Sequence, residues 1–344
     1  MINPSRTRIL VTLLLTAGIF FAGSLSVITV GDIMMGSDYP SKNLPPNQGG
    51  DLFKNVDSTL MDADLTLGNL EGTLLTGGVC TKKVQKGRCY AFRTPPDWVE
   101  NLLNAGFDFM NLANNHMNDF GAEGIKGTQN VLSDVGLTYG GAYSKVGQFE
   151  ISGNKIAIVS FSTSPNTNSV FEIPKAQRIV AAQAKLNDII IVSFHAGGEG
   201  LKFLHTRDTF EYFMGWSRGN VVKFSRAVVD SGADFVWGHG PHVPRAIEIY
   251  SDRLIAYSLG NFCTWGFNLG DERGYAPILK VVLDSTGVFQ HGKIISAIQR
   301  TYKYLALDSL HRAAKLVKEL SAQDFPDSAP IISDQGIIYP RIKE

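Results

Sequence analysis

The chain has 344 residues, 44% of them hydrophobic and 19% charged, which supplies ample apolar material for a buried core. Lys plus Arg equals Asp plus Glu at 32 each, so no net field steers the chain toward nucleic acid or an anionic membrane. No basic run is interleaved with aromatics, and nucleic acid is not an expected partner.

The first element is a candidate leader. Arg6 and Arg8 precede an uncharged apolar run, ILVTLLLTAGIFFA, and the small residues Ala22, Gly23, Ser24 and Ser26 follow. A basic start, a short apolar stretch and a small-residue exit describe a secretory signal peptide over residues 1–26, cut after Ser24 or Ser26. The alternative is an uncleaved anchor, because apolar residues continue to Val30 and reach the roughly 20 that span a bilayer. Either way the chain is expected outside the cytoplasm: periplasmic, extracellular, or anchored on the outer side of the membrane.

Beyond the leader, short apolar runs at 27–30, 65–70, 107–112, 156–161, 189–194, 234–237 and 253–258 predict strands. Several are apolar at successive positions, as in strands buried on both faces. Helices are predicted over 97–104, 121–135, 220–231 and 308–322, with Gly106, Gly136 and Gly232 just past three of them as left-handed stops. This alternation argues for an α/β layered architecture. After Pro277 the segment ILKVVLDSTGVFQHGKIISAIQR alternates apolar and polar residues around Ser-Thr-Gly and predicts an antiparallel hairpin. Residues 27–276 are expected to form the main domain, and 277–344 (hairpin, helix and tail) to complete it.

Cys80 and Cys89 flank the polar loop TKKVQKGR. In an oxidising compartment they would close it as a disulfide; the other reading is two unpaired loop thiols. Cys263 ends an apolar run and is expected as a small buried hydrophobe.

Metal-binding residue types recur where an apolar strand gives way to a Gly-rich loop, and in parallel α/β sheets those carboxyl ends are where sites form. VITVGDIMMG places Asp32 there, LTLGNLEG places Asn69 and Glu71, and FMNLANNHMNDFG places Asn114, Asn115, His116 and Asp119. IIIVSFHAGGEG adds His195 and Glu199, and FVWGHGPHVP adds His239 and His242. Singly, each has a structural reading: Asp32 as a cap, the Asn pair as turn residues, His195 as a hydrogen-bonded core imidazole. Together, three of the seven histidines, two carboxylates and an Asn-Asn-His group at such junctions point to a shared cation. A carboxylate, amide and imidazole set without thiolate suits Mn, Fe or Zn.

At these residues the chain resembles the CapA (capsule synthesis, poly-γ-glutamate) family, whose fold is related to the calcineurin-like metallophosphoesterases. The strings VGDIMMG, GNLEGTL, YAFRTPP, NLANNHMNDFGAEGI, SFHAGGEG, GHGPHVPRAIE and AYSLGNF run in the family's order from Val30 to Phe262. The resemblance implies a four-layer α-β-β-α sandwich with the site at one edge of two sheets, holding one or two divalent ions. It places Asp32 as the first ligand, Glu71 as a bridging carboxylate, Asn115 as a ligand and His116 as proton donor to the leaving group. His195, His239 and His242 resemble the imidazole ligands. Asp119 could hold His116, and Glu199 could orient His195 or take a proton from water, beside their structural readings. Arg93, with Asn69 and Asn114, is a candidate to hold an anionic substrate; the other reading of Arg93 is a surface or structural arginine.

Two positions depart from the metallophosphoesterase pattern. Met34 stands where those enzymes carry a histidine, and both Gly240 and Pro241 separate the last imidazoles, where one residue is usual. A mononuclear site is therefore one expected outcome. Two functions follow from the resemblance. One is a metal-dependent hydrolase or transferase acting on a phosphoester or an anionic polymer such as poly-γ-glutamate. The other is a non-catalytic polymer-binding component working with membrane-bound capsule assembly proteins.

Overall fold

The structure, a computed structural model, describes residues 23–82 and 90–341. Residues 1–22 of the expected leader, and Cys89 of the expected disulfide, lie outside the described residues. No helix among the described residues is long and apolar enough to cross a membrane.

Two sheets organise the chain. The first runs in the order Ile331–Ile332, Ile337–Tyr339, Phe289–Ile298, Tyr275–Leu283, Leu25–Met34, Leu65–Leu70, Phe109–Asn111 and Thr138–Gly140. Its last four strands are parallel, and Asn261–Thr264 pairs parallel to Leu25–Met34. The second runs Ile247–Tyr250, Arg253–Ala256, Phe235–His239, Ile189–His195, Asn154–Ser162 and Gly147–Ile151. Its four central strands are parallel.

Because successive side chains on a strand point to opposite faces, each apolar strand feeds two cores. Val27, Leu65, Leu67 and Phe109 of the first sheet meet Ile158, Ile189, Ile191 and Phe235 of the second. On the outer face of the first sheet, Ile28, Val30 and Met110 pack with Leu102 and Leu132 of helices Val99–Asn104 and Gly121–Asp134. On the outer face of the second, Ile190, Val192 and Phe194 pack with Val180 and Phe224 of helices Ile173–Ala184 and Val221–Val229. The result is a four-layer α-β-β-α sandwich, in which each such buried side chain contributes about 1.5–3 kcal/mol.

Local chemistry explains the element ends. Asn220 caps its helix by accepting from Lys223 N at 3.0 Å, a contact worth about 1 kcal/mol. Gly106, Gly136 and Gly232 take positive φ at the predicted stops. The expected hairpin is present as Tyr275–Leu283 and Phe289–Ile298, and its first strand pairs antiparallel with Leu25–Met34. Residues after 277 thus extend the first sheet. The last helix begins later than predicted, at Arg312, because the Asp308 carboxylate stands outside it and accepts from Arg312 N at 2.9 Å. Helix Ile173–Ala184 escaped the sequence reading, since its buried face is little more than Ala176 and Val180. The Cys263 thiol is buried in the first outer core, and burial pushes its pKa up, as suits a small hydrophobe.

One irregularity positions the site. On Leu25–Met34 the side chains of Ile28 and Val30 lie in the outer core, and so does that of Ile33, whereas Val27 lies between the sheets. The alternation therefore slips by one residue, and the pairing register with Leu65–Leu70 shifts there too, between Thr29 and Asp32. The slip turns Asp32 toward the second sheet. Gly31 permits it: a Cβ at residue 31 would sit 2.0 Å from the Gly260 carbonyl oxygen, which accepts from Asp32 N at 2.9 Å. The Val30 carbonyl accepts the Trp237 indole N–H at 2.9 Å, tying the two sheets together beside the slip.

Candidate metal centre

Strand register assembles the site from two facing rows. In the first sheet Asn261, Asp32, Asn69 and Asn111 are direct neighbours on four adjacent strands. In the second, His195 and His239 are neighbours, each two residues beyond the register partners Ser193 and Trp237 on the same two strands. Hydrogen bonds hold the first row rigid: Asn69 Nδ2 donates to Asp32 Oδ1 at 2.8 Å, and Asn111 Nδ2 donates to Asn69 Oδ1 at 2.7 Å. His239 Nε2 lies 2.9 Å from Ser193 Oγ, which leaves Nδ1 to the site, 3.0 Å from His195 Nδ1 and 4.0 Å from Asp32 Oδ1.

The remaining ligand-type residues come from loops. His242, with φ of 58°, sits beyond Gly240 and Pro241 in a left-handed conformation that turns its ring back to the site. Asn261 clamps it, donating from Nδ2 to the His242 carbonyl at 3.0 Å, with its Oδ1 3.1 Å from His242 Nδ1. That same nitrogen is 2.9 Å from Asp32 Oδ2, so Nε2 is the free end. The longer spacing between the last two histidines therefore keeps both imidazoles beside Asp32. Glu71 is fully buried, and its Oε1 stands 3.8 Å from Nε2 of each of His116, His195 and His242.

These distances define two overlapping ligand groups, Asp32 with His195 and His239, and Asp32 with Glu71 and His242, in each of which the ligand atoms lie within 4.8 Å of one another. Asp32 is common to both, and Glu71 Oε1 stands 3.8 Å from an imidazole nitrogen of each, His195 in one and His242 in the other. The donor set fits a divalent ion. Contacts of 3.8 Å are too long for hydrogen bonds, yet two ligands at about 2.0–2.2 Å from one cation stand that far apart. Among the described residues, Glu71 Oε1 and Oε2, His195 Nε2 and Asn115 Oδ1 are buried without a hydrogen-bond partner. Buried polar atoms are ordinarily paired, and the partnerless Glu71 and His195 atoms, with Glu71 Oε1 3.8 Å from His195 Nε2, fit a cation between them. Met34 is buried and offers no imidazole, but both groups close without it.

Electrostatics follow from this crowding. Burial and the Asp32 charge push the Glu71 carboxyl up to about 8. Burial would lower His242, but the Glu71 charge and the hydrogen bond to Asp32 drive it up to about 10. Burial would likewise raise Asp32, yet the hydrogen bond from His242 and the charges of His242 and His239 hold it below its usual range. Burial lowers His239 to about 4 and His195 well below normal, keeping both as the neutral form that ligates metals. In the cation-free pocket Glu71 thus keeps a proton below about pH 8, and His242 below about pH 10. A cation must displace such protons, so its apparent affinity should fall about ten-fold per pH unit for each proton displaced as the pH drops below 8. Calorimetric titration of Mn2+ in buffers of different ionisation enthalpy should register release of one proton or more. Affinity that does not change between about pH 6 and about pH 8 would contradict this assignment.

His116 borders the site without belonging to either ligand group. Its Nδ1 lies 2.9 Å from Asp119 Oδ2, and Phe92 stacks on its ring at 4.2 Å. Lys82, which the sequence reading passed over, reaches the same pair, 2.9 Å from His116 Nδ1 and 2.8 Å from Asp119 Oδ1.

Other expected residues are placed differently. Glu199 lies 4.0 Å from His242 Nε2 and 3.3 Å from Arg218 Nη1, so its neighbours are those residues and not the expected His195. Asn69 and Asn114 are fully buried, with Asn114 Nδ2 donating to the Leu70 carbonyl at 2.8 Å and its Oδ1 accepting from His116 N at 3.0 Å. Their amides are used in bracing the ligands, which corrects the expectation that they meet substrate. Arg93 departs further: its guanidinium donates to Asp38 Oδ1 at 2.7 Å and to the Gly77 carbonyl, and lies over Tyr39 and Phe120. It braces a loop and is not free to hold an anion. Asn111 and Asn261, not among the expected site residues, also stand at strand ends, a signal that could have marked them.

The layered α/β fold thus sets candidate carboxylate and imidazole ligands at the carboxyl ends of parallel strands in both sheets. Residues 26–264 match the family model described as bacterial capsule synthesis protein PGA_cap, and the chain belongs to that family. It is 30% identical over 263 residues to the capsule biosynthesis protein CapA of Bacillus anthracis, covering 69% of this chain and 59% of that one. It is also 30% identical over 255 residues to the PGA biosynthesis protein CapA of Bacillus subtilis (strain 168), covering 69% and 63%. The chain thus spans about three fifths of the length of these curated relatives. Among solved structures, a putative 5'-nucleotidase from Staphylococcus aureus aligns over 86% of this chain and 58% of its own, with TM-score 0.44 and 14% identity. A calcineurin-like phosphoesterase from Bacillus subtilis aligns over 88% and 96%, with TM-score 0.40 and 12% identity.

Proposed function

We propose that this protein is an exported, metal-dependent hydrolase or transferase of capsule or cell-envelope polymer metabolism. Its substrate would be a phosphoester or an anionic polymer such as poly-γ-glutamate. One observation carries the reading: the partnerless Glu71 carboxylate, held 3.8 Å from three imidazole nitrogens in a buried pocket. The names of the two CapA relatives support the polymer setting, and the pattern over residues 1–26 supports export.

Asp32, Glu71, Asn115, His195, His239 and His242 would hold the metal, Mn, Fe or Zn. The chemistry supplied by a divalent ion there is activation of water and polarisation of the scissile bond. Asn69, Asn111 and Asn261 keep the ligand side chains in place through the bonds already described. His116 is the proton donor: in its charged form it carries one proton on Nδ1 toward Asp119 and another on Nε2, the nitrogen on the Glu71 side. Asp119 stabilises that charged form against burial and the nearby Lys82 charge, which together hold the His116 pKa below its usual value.

The test is hydrolysis by the Mn-, Fe- or Zn-loaded full chain of simple phosphoesters and of γ-glutamyl polymer, each against the chelated protein. Metal-dependent release of phosphate or shortening of the polymer is expected. Loaded protein that turns over neither, yet retains polymer, would replace this proposal with a non-catalytic role in a capsule assembly.

A further inference from the structure

Arg218 was not singled out by any motif, yet it is a tightly held, buried cation near the site. It lies on Trp216–Gly219, which pairs antiparallel with Glu211–Phe213 in a hairpin beyond the His195 loop. The hairpin is bolted to the core: buried Arg245 donates from both Nη atoms to Glu211 at 2.9 Å, and Gly198 N donates to Glu211 at 2.6 Å. Arg218 is locked in turn to Gly197, two residues after His195. Gly197 N donates to the Arg218 carbonyl at 2.8 Å, and Arg218 Nε donates to the Gly197 carbonyl at 2.8 Å.

The guanidinium therefore cannot swing away to water. Arg218 is 6% exposed; Glu199 Oε1 takes Nη1 at 3.3 Å, and Nη2 is buried with no partner. An arginine cannot shed its proton to relieve that cost. The other oxygen of the same Glu199 carboxylate is 4.0 Å from His242 Nε2, so one side chain separates the orphaned donor from the metal ligands. The Arg218 charge also contributes to holding the His195 pKa down, which puts the two within electrostatic reach.

We propose that Arg218 Nη2 binds an oxyanion of the substrate beside the metal centre, and so selects for anionic substrates. A carboxylate and a phosphoryl group share the chemistry, a charged oxygen accepting a guanidinium N–H. The proposal rests on the site reading above only for the position of the metal, because anion binding needs no turnover.

The experiment titrates inorganic phosphate and, separately, glutarate into the Mn-loaded full chain and into R218M and R218K, with Mn content and folding checked for each. R218M should keep its Mn and bind the anion at least about ten-fold more weakly, with part of the loss restored by the point charge of R218K. Loss confined to phosphate identifies a phosphoryl group as the ligand, and loss confined to glutarate a carboxylate. Equal affinity in wild type and both variants, or no binding of either anion to the wild type, overturns the proposal. Should R218M fail to fold, wild-type affinity in R218K for both anions overturns it equally. Arg218-dependent anion binding without hydrolysis would leave this inference standing while removing the catalytic reading.

Discussion

Replacing His116 with alanine should remove most turnover while leaving the metal bound. His116 stands outside both ligand groups, so its loss opens no coordination position. The ring is nevertheless fixed as tightly as any ligand, by Asp119 at Nδ1 and by Phe92 stacked on its face, with Nε2 left on the Glu71 side. A positioned proton donor contributes about 10²–10⁴-fold to rate, and His116→Ala should lose a factor in that range in kcat/KM. The expected pairing is unchanged metal content with depressed turnover on a substrate whose leaving group needs a proton. An activated leaving group such as p-nitrophenolate should narrow the loss. Wild-type rates in the variant, or loss of metal along with activity, would remove His116 from this role.

Replacing Asp32 with asparagine should have the larger effect on the metal itself. Asp32 belongs to both ligand groups, and it is the carboxylate that His242 Nδ1 approaches at 2.9 Å. Asparagine preserves the shape and removes the charge, so its side-chain oxygen can still accept from Asn69 Nδ2. Losing a partner one shell further out typically costs 10–100-fold in affinity, and loss of a shared ligand should exceed about 100-fold. All bound metal should be affected, because no position excludes Asp32. His239→Ala provides the contrast, since His239 belongs to one group only. If two ions bind, it should weaken one of them and spare the other. Asp32→Asn protein that titrates Mn2+ like wild type would contradict the shared-ligand geometry.

Much of the site was legible because polar residues at the ends of apolar strands stand out. Asp32, Glu71, His195, His239 and His242, which the structure brings together, could each be marked from their junctions, and the layered α/β fold followed from the alternation of strands and helices. What stayed hidden depends on register and on three-dimensional neighbours. Simple alternation from Val27 would put Asp32 on the outer face; the slip at Gly31, made possible by the close approach of Gly260, reverses that. The row of Asn261, Asp32, Asn69 and Asn111 exists only once four strands separated in sequence are set side by side. Arg93 was a candidate anion-binding residue because Asp38, which claims its guanidinium, is 55 residues away. Arg218 had no signal, since its importance comes from Gly197 and Glu199 across a hairpin that the sequence reading did not foresee.

The central claim, that these residues hold a divalent ion, is tested most directly by elemental analysis of the purified full chain after loading and dialysis, with Asp32→Asn alongside. The account predicts about one to two equivalents of Mn, Fe or Zn in the wild type and close to none in the variant. A wild-type chain that retains no more divalent metal than Asp32→Asn would contradict it.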